Sequence, residues 1–329
     1  MAFSDEVRDQ AFARSEFKIG LVPDIGWVDD EFTNEYTLEG LSRLESEYEE
    51  KVRLDYCMTK SVDDYIVKLK EFSGLKYNLI VASSFLLKES VKEAAEEYKD
   101  IDFLIINSIV NKPNVASVVF AEHEGSYIVG IIAALKAKED GKNVIGFIGG
   151  MRFPLIRNYE VGFIQGAKAI NPGIEILIDY ADRFDNPELG KELAKKQLEG
   201  GAYIIYSVAG GTGAGILSEI RLRSEYGDKC WFVGSDIQCY EMVLDENKAF
   251  ILTSMVKKYD IPAYNISKMA LTGNFPGGKV FEYSLKENAV GISEDTSNLS
   301  EHILMAIDYY TNKIVMGSIK VNSMPNRTY

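Results

Sequence analysis

The stretch YIIYSVAGGTGAGILSEIRLRSEYGDKCWFVGSD, residues 203–236, contains one full repeat of the fold. YIIYSVAG (203–210) is a continuous run of β-forming residues that stops at glycine, as a strand covered on both faces reads. AGILSEIRLRSEYG (214–227) spaces its apolar residues at three and four and also stops at glycine, the pattern of an amphipathic helix. CWFVGSD (230–236) is a second strand, ending in Ser235 and Asp236. A strand, a helix and another strand in succession predict parallel pairing through a right-handed crossover.

The alternation extends in both directions. FKIGLV (17–22), NLIVAS (78–83), DFLIIN (102–107), VASVVFA (115–121), NVIGFIGG (143–150), IEILIDY (174–180) and ILTSMV (251–256) read as further strands, with KVFEYSL (279–285) as a late extended run. Helical spacing marks 63–74, 87–100, 125–141, 188–201, 260–273 and about 297–313. Eight or more strands fit two sheets of about five better than one large sheet, given 329 residues. No low-complexity linker separates two lobes, which predicts extended crossings between them. The acidic run LESEYEE (44–50) reads as a solvated helix face.

Composition removes several classes. With 36 Lys+Arg against 50 Asp+Glu the net charge is −14, which argues against non-specific nucleic-acid binding. Cys57, Cys230 and Cys239 form no CxxC pair, so a disulfide framework or structural zinc site is not expected, although one disulfide remains open. With two histidines, His123 and His302, a histidine triad or His-rich metal site has almost nothing to be built from. No stretch reaches the ~18–20 apolar residues of a spanning helix. The start, MAFSDEVRDQAFARSEF, has no basic n-region and no apolar h-region, so the protein is either cytosolic or begins after a removed targeting segment.

Ligands in parallel α/β sheets gather where strands end and helices begin. The first strand runs into PDIGWVDDEFTNEY (23–36), which combines Asp24, Asp29, Asp30 and Asn34 with Trp27 and Phe32. Acids accept from sugar hydroxyls while rings stack on a planar base, so this loop suits a neutral, polyhydroxylated, planar ligand. Asp29 or Asp30 would equally cap the following helix, whereas Asp24 stands too early for that role. VAGGTGAGILSEI (208–220) fails the Walker pattern, because Ile216 rather than Lys follows Gly215, and fails the dinucleotide pattern. It permits either close approach of a ligand to backbone or tight helix packing. Asp236 and Lys257 end neighbouring strands, Phe184 occupies an exposed turn, and Arg152 and Arg157 are either an anion clamp or a helix face. No nucleophile elbow, metal-spaced cluster or kinase signature is present.

The motifs IGLVPDIGWVDDEFTNEYTLEGL, EGSYIVGIIAAL, VIGFIGGMRFPLIRNYEVGFIQGAKAINPG, GGTGAGI, VGSDIQ and ILTSMVKKYD, in this order, resemble the basic membrane protein family. This is the purine nucleoside receptor-like group of ABC-transporter substrate-binding lipoproteins. The resemblance implies an α/β type I periplasmic-binding-protein fold, with two Rossmann-like lobes of parallel sheet joined by three hinge crossings. Lobe 1 would comprise 17–122 and 256–281, and lobe 2 would comprise 123–255 and 282–326, after an N-terminal extension of 1–16. It implies a nucleoside, purine by class, closed upon by the lobes without a cofactor or metal. The implied ligand residues are Asp24, Asn34, Ser84, Phe184, Gly210, Asp236 and Lys257. Where the family has Ser-Phe-Asn this chain has Phe32-Thr33-Asn34, so Phe32 or Trp27 takes the first stacking position; its usual Gly-Gly in the late strand loop is Asn288-Ala289. The implied partners are a nucleoside and an ABC permease, with no nucleic acid and with membrane contact through a lipid anchor only. The resemblance thus implies a location outside the cytoplasm. The alternatives are a nucleoside-processing enzyme on the same architecture and a cytosolic ligand-sensing regulator.

Overall fold

Parallel strands need both faces covered, and the sequence supplies a helix after nearly every strand. The computed structural model describes residues 16–25, 31–236 and 248–324, the side chains of 31–33 and 236 excepted. Its strands are β1 (Phe17–Val22), β2 (Val52–Tyr56), β3 (Leu79–Ala82), β4 (Asp102–Ile106), β5 (Val115–Phe120), β6 (Val144–Gly149), β7 (Glu175–Tyr180), β8 (Ile204–Val208), β9 (Trp231–Asp236), β10 (Ile251–Lys257), β11 (Val280–Tyr283) and β12 (Val290–Ile292). The helices are α1 (Glu31–Tyr48), α2 (Val62–Gly74), α3 (Lys88–Glu97), α4 (Glu122–Glu139), α5 (Pro154–Ile170), α6 (Pro187–Glu199), α7 (Thr212–Glu225), α8 (Asp260–Leu271) and α9 (Glu301–Val315).

Among the described residues these strands form two sheets of six, ordered β11–β5–β4–β3–β1–β2 and β12–β10–β9–β8–β6–β7. The chain divides into two compact units, Met1–Val119 with Lys258–Glu282 and Phe120–Lys257 with Tyr283–Tyr329, and passes between them three times. Within each sheet the winding reverses once. β1 pairs in parallel with both β2 and β3, and β6 with both β7 and β8. β12 is the exception to parallel pairing, running antiparallel to β10 with Lys257 opposite Val290.

The sixth strand of each sheet was not visible as an apolar run. β2 is an edge strand with only Val52 buried, and β12 has three residues. The first unit's core gathers Val22, Tyr65, Leu69, Phe72, Ile80, Leu87 and Phe103. The second has its own cluster of Ile148, Ala194, Ile205, Ile216, Ile220 and Phe232. LESEYEE falls at the end of α1 and in the short 3-10 turn after it, with Glu47, Glu49 and Glu50 exposed.

In the second unit α4 and α5 meet backbone to backbone. A Cβ on Gly162 would stand 2.2 Å from the His123 carbonyl oxygen, and one on Gly166 only 1.9 Å from that of Tyr127. These are the glycines of GFIQGAK, and they allow the two helices to approach more closely than any side chain would permit. Gly166→Ala is therefore expected to lower stability by about 1–3 kcal/mol, because rigid backbone must move to admit the methyl group. Gly74→Ala, whose Cβ meets nothing within 4 Å, should leave the denaturation midpoint unchanged or slightly raised.

Asp102 opens β4 beside Asn114 and Phe275, and burial alone pushes its carboxyl up to about 6. The folded state therefore holds this proton more tightly than the unfolded chain, whose group titrates near 3.8. The resulting stabilisation is complete below the lower value and is lost as pH rises through the upper one. Urea unfolding of wild type and Asp102→Asn should show wild type losing ground to the variant between about pH 4 and pH 6, then a constant difference.

Candidate functional site

The reversal points of the two sheets are where loops leave adjacent strands in opposite directions, opening a crevice at the strand carboxyl ends. In the first unit this point lies between β1 and β3. Asp24 follows β1 and is 7% exposed; Ser83 and Ser84 follow β3 and are buried. The Asn34 amide ties the two loops together. Its Oδ1 accepts from the Asp24 backbone N–H at 3.1 Å and from the Ser83 hydroxyl at 2.6 Å, while its Nδ2 donates to the Asp24 carbonyl at 3.2 Å. Because a backbone N–H can only donate, that contact fixes the amide orientation.

Asp24 is further held by Tyr65 of α2. The phenol donates to Asp24 Oδ1 and accepts from the Ile25 N–H at 3.1 Å. Burial, reinforced by the bond to Asp24, raises the Tyr65 pKa well above the usual tyrosine range. Thr59 anchors the same loop by donating to the Pro23 carbonyl at 3.0 Å. Ser84 caps the 3-10 turn Phe85–Leu87 by accepting from the Leu86 N–H at 3.2 Å. Phe32 lies within α1 and Trp27 outside the described residues, as do Gly26, Asp29 and Asp30.

In the second unit the reversal lies between β6 and β8, and it is aromatic. Phe184 is half-buried against two glycines in the loops that follow those strands. A Cβ on Gly150 would sit 2.1 Å from the Phe184 ring, and one on Gly210 would sit 3.3 Å from Phe184 Cβ. Gly210 has φ +54°, a left-handed conformation that glycine adopts without strain. The Phe184 carbonyl accepts from the Thr212 N–H at 2.9 Å, locking its turn to the start of α7. Phe153, also half-buried, stands 6.0 Å from Phe184 between ring centroids, tilted by 56°.

The GGTGAG motif thus splits by function. Gly210 shapes the exposed loop. Gly213 packs against Ser207, and Gly215 lies under the Pro187 carbonyl, where a Cβ would be 1.7 Å away. Arg157 is exposed on α5, and the Arg152 guanidinium lies 4.3 Å from the Tyr180 ring centre and 4.0 Å from Asp182. That favours the helix-face reading for Arg157 and a local structural role for Arg152.

Lys257 ends β10 next to the end of β9, where Val256 is in register with Asp236. Its side chain is fully buried, 3.9 Å from Glu122 Oε1, with the Phe120 and Tyr159 rings at 5.5 and 5.6 Å. Asp236 itself is described by its backbone alone. Glu122, Phe153 and Tyr65 are not among the candidate ligand residues that the sequence points to. Glu122 opens α4 directly after β5, and Phe153 stands immediately before Pro154, the first residue of α5. Among the described residues no cluster of three or more His, Cys, Asp or Glu is arranged to hold a metal, and no helix is long and apolar enough to cross a membrane. Cys57 and Cys230 are free thiols, with burial pushing Cys57 up to about 11.

Two six-stranded α/β units, each with one winding reversal and three chain passages between them, define the architecture of the ABC-transporter solute-binding proteins. The crystal structure of such a protein from Aeropyrum pernix matches at TM-score 0.75 and 24% identity, over 94% of both chains. A family model described as Bmp, ABC transporter substrate-binding protein PnrA-like, matches residues 18–324, and the chain belongs to this family. Among its relatives are a CD4+ T-cell-stimulating antigen of Listeria monocytogenes, 32% identical over 94% of this chain and 89% of the relative. The ABC transporter nucleoside-binding protein BmpA of Lactococcus lactis is 29% identical over 94% of this chain and 90% of the relative.

Asn34 joins three segments through three buried hydrogen bonds. Asn34→Ala strands the Ser83 hydroxyl and the Asp24 N–H and carbonyl, so a loss of about 2–4 kcal/mol in chemical denaturation is expected.

Proposed function

We propose that this protein is the substrate-binding component of an ABC importer and that its ligand is a nucleoside, of the purine class. The observation that carries this reading is the contrast between the two reversal points. One presents a fixed carboxylate and hydroxyls, and the other a half-buried ring lying on glycine backbone. A nucleoside has matching parts: hydroxyls and N–H groups for carboxylates, and a flat base for a ring. The resemblance to the Lactococcus lactis nucleoside-binding protein supports the same reading.

In this reading Asp24 and Ser84 bind from the first unit, and Phe184, Gly210, Asp236 and Lys257 from the second. Trp27 or Phe32 supplies the opposing ring, and Asn34 holds the first loop in shape. The ligand selects a closed arrangement of two lobes hinged at the three chain passages. The closed form is then recognised by the permease, and no bond of the nucleoside is broken. The protein works outside the cytoplasm, anchored by lipid.

A thermal-shift screen against purine and pyrimidine nucleosides, free bases and sugars tests the ligand class. Purine nucleosides should raise Tm most, since a ligand at a hundredfold its Kd adds about 2.7 kcal/mol of stability. Phe184→Ala should then weaken binding by roughly 5- to 150-fold, the worth of one base–aromatic stack. Asp236→Ala should weaken it by about ten- to over a hundredfold through lost charge-assisted hydrogen bonds. No shift with any nucleoside, or free base accumulating over hours by chromatography, would overturn the proposal.

A further inference from the structure

Tyr65 owes its place to the start of α2. Ser61 and Asp64 form a capping box, and the Asp64 carboxylate accepts from the Lys60 and Ser61 N–H groups at 2.7 and 3.0 Å. Those bonds hold the Asp64 pKa below the usual carboxylate range, the Lys60 N–H contributing most. With the helix start fixed, Tyr65 falls in its first turn with its ring in the first unit's core, beside Val22, Leu69 and Phe72. The residue is 0% exposed, so the ring has no other place to turn.

The phenol oxygen reaches past this core to the end of β1. Ile25 N–H can only donate, so the oxygen accepts there, and its single proton goes to Asp24 Oδ1. One carboxylate oxygen of Asp24 is thereby committed to the protein. Among the described residues no donor reaches Oδ2, and Asp24 retains 7% exposure.

We infer that Tyr65 is a positioning residue for ligand binding: by engaging Oδ1 from a locked core ring, it sets the Asp24 carboxylate so that Oδ2 accepts from a donor group of the ligand. The inference rests on the proposed ligand role of Asp24. An Asp on a loop has a freely turning carboxylate and loses that freedom on binding; here the protein has already fixed it during folding.

Isothermal titration with inosine, guanosine and adenosine, on wild type, Tyr65→Phe, Asp24→Asn and the double variant, tests it. Tyr65→Phe keeps the ring and the core and removes one oxygen. It is expected to weaken binding roughly 5- to 20-fold while the folded circular dichroism spectrum is retained. Asp24→Asn should weaken binding further, and adding Tyr65→Phe to it should cost nothing more, because Tyr65 acts through that carboxylate. Multiplying losses in the double variant would mean that Tyr65 acts independently of Asp24, and would overturn the inference. So would wild-type affinity in Tyr65→Phe alongside a loss in Asp24→Asn, a result that leaves the nucleoside reading intact. Unchanged binding by Asp24→Asn removes the role of Asp24 and the inference together. Failure of wild type to bind any of the three nucleosides overturns the reading itself.

Discussion

A parallel sheet can be wound in one direction only until its next helix would land on a face already covered, and the winding must then reverse. At that reversal the two outgoing loops diverge, and backbone at the strand ends is left uncovered. In this chain the constraint operates twice, at β1/β3 and at β6/β8. The residues that make the protein more than two packed sheets are placed by it. Asp24, Asn34, Ser83 and Ser84 surround the first reversal; Gly150, Phe153, Phe184 and Gly210 surround the second.

The two reversals are built by different means. At the first, the loops are held by polar side chains reaching from helices: Asn34 from α1 and Tyr65 from α2. Each uses a backbone N–H as an unambiguous donor to set its orientation. At the second, the loops are held by the absence of side chains. Gly150 and Gly210 leave a flat bed of backbone, and the Phe184 ring occupies it. A methyl group at Gly150 would take the space of that ring. Side-chain hydrogen bonds shape the first reversal, whereas glycine together with the backbone bond from Thr212 to Phe184 shapes the second.

This difference governs what could be read in the sequence. Continuous apolar runs disclosed most strands because burial on both faces removes alternation, as in β5 and β8. β2 and β12 give no apolar run, because one buries only Val52 and the other has three residues. Helix α5 packs on α4 through Gly162 and Gly166, a contact between backbones that leaves no apolar side chain at those positions to mark it in the sequence. Asp24 and Phe184 could be singled out from residue type and place along the chain. Tyr65, Glu122 and Phe153 could not, since each matters through a partner more than 30 residues away in sequence. The ordered motifs, taken together, identified the family where no single one sufficed.

The glycines show how a motif can mislead when its residues are counted as one unit. In VAGGTGAG three of the four glycines serve three ends: Gly210 adopts the left-handed turn, Gly213 clears the Ser207 side chain, and Gly215 lets α7 approach the start of α6. Of these three only Gly210 lies at the exposed loop, so tight helix packing accounts for the other two. The same holds for GFIQGAK, whose glycines seat α5 on α4. Close helix packing and ligand approach both demand the absence of a Cβ, and sequence alone does not separate them. What separates them is the atom each Cβ would meet: a neighbouring helix carbonyl at Gly166 and Gly215, an aromatic face at Gly150.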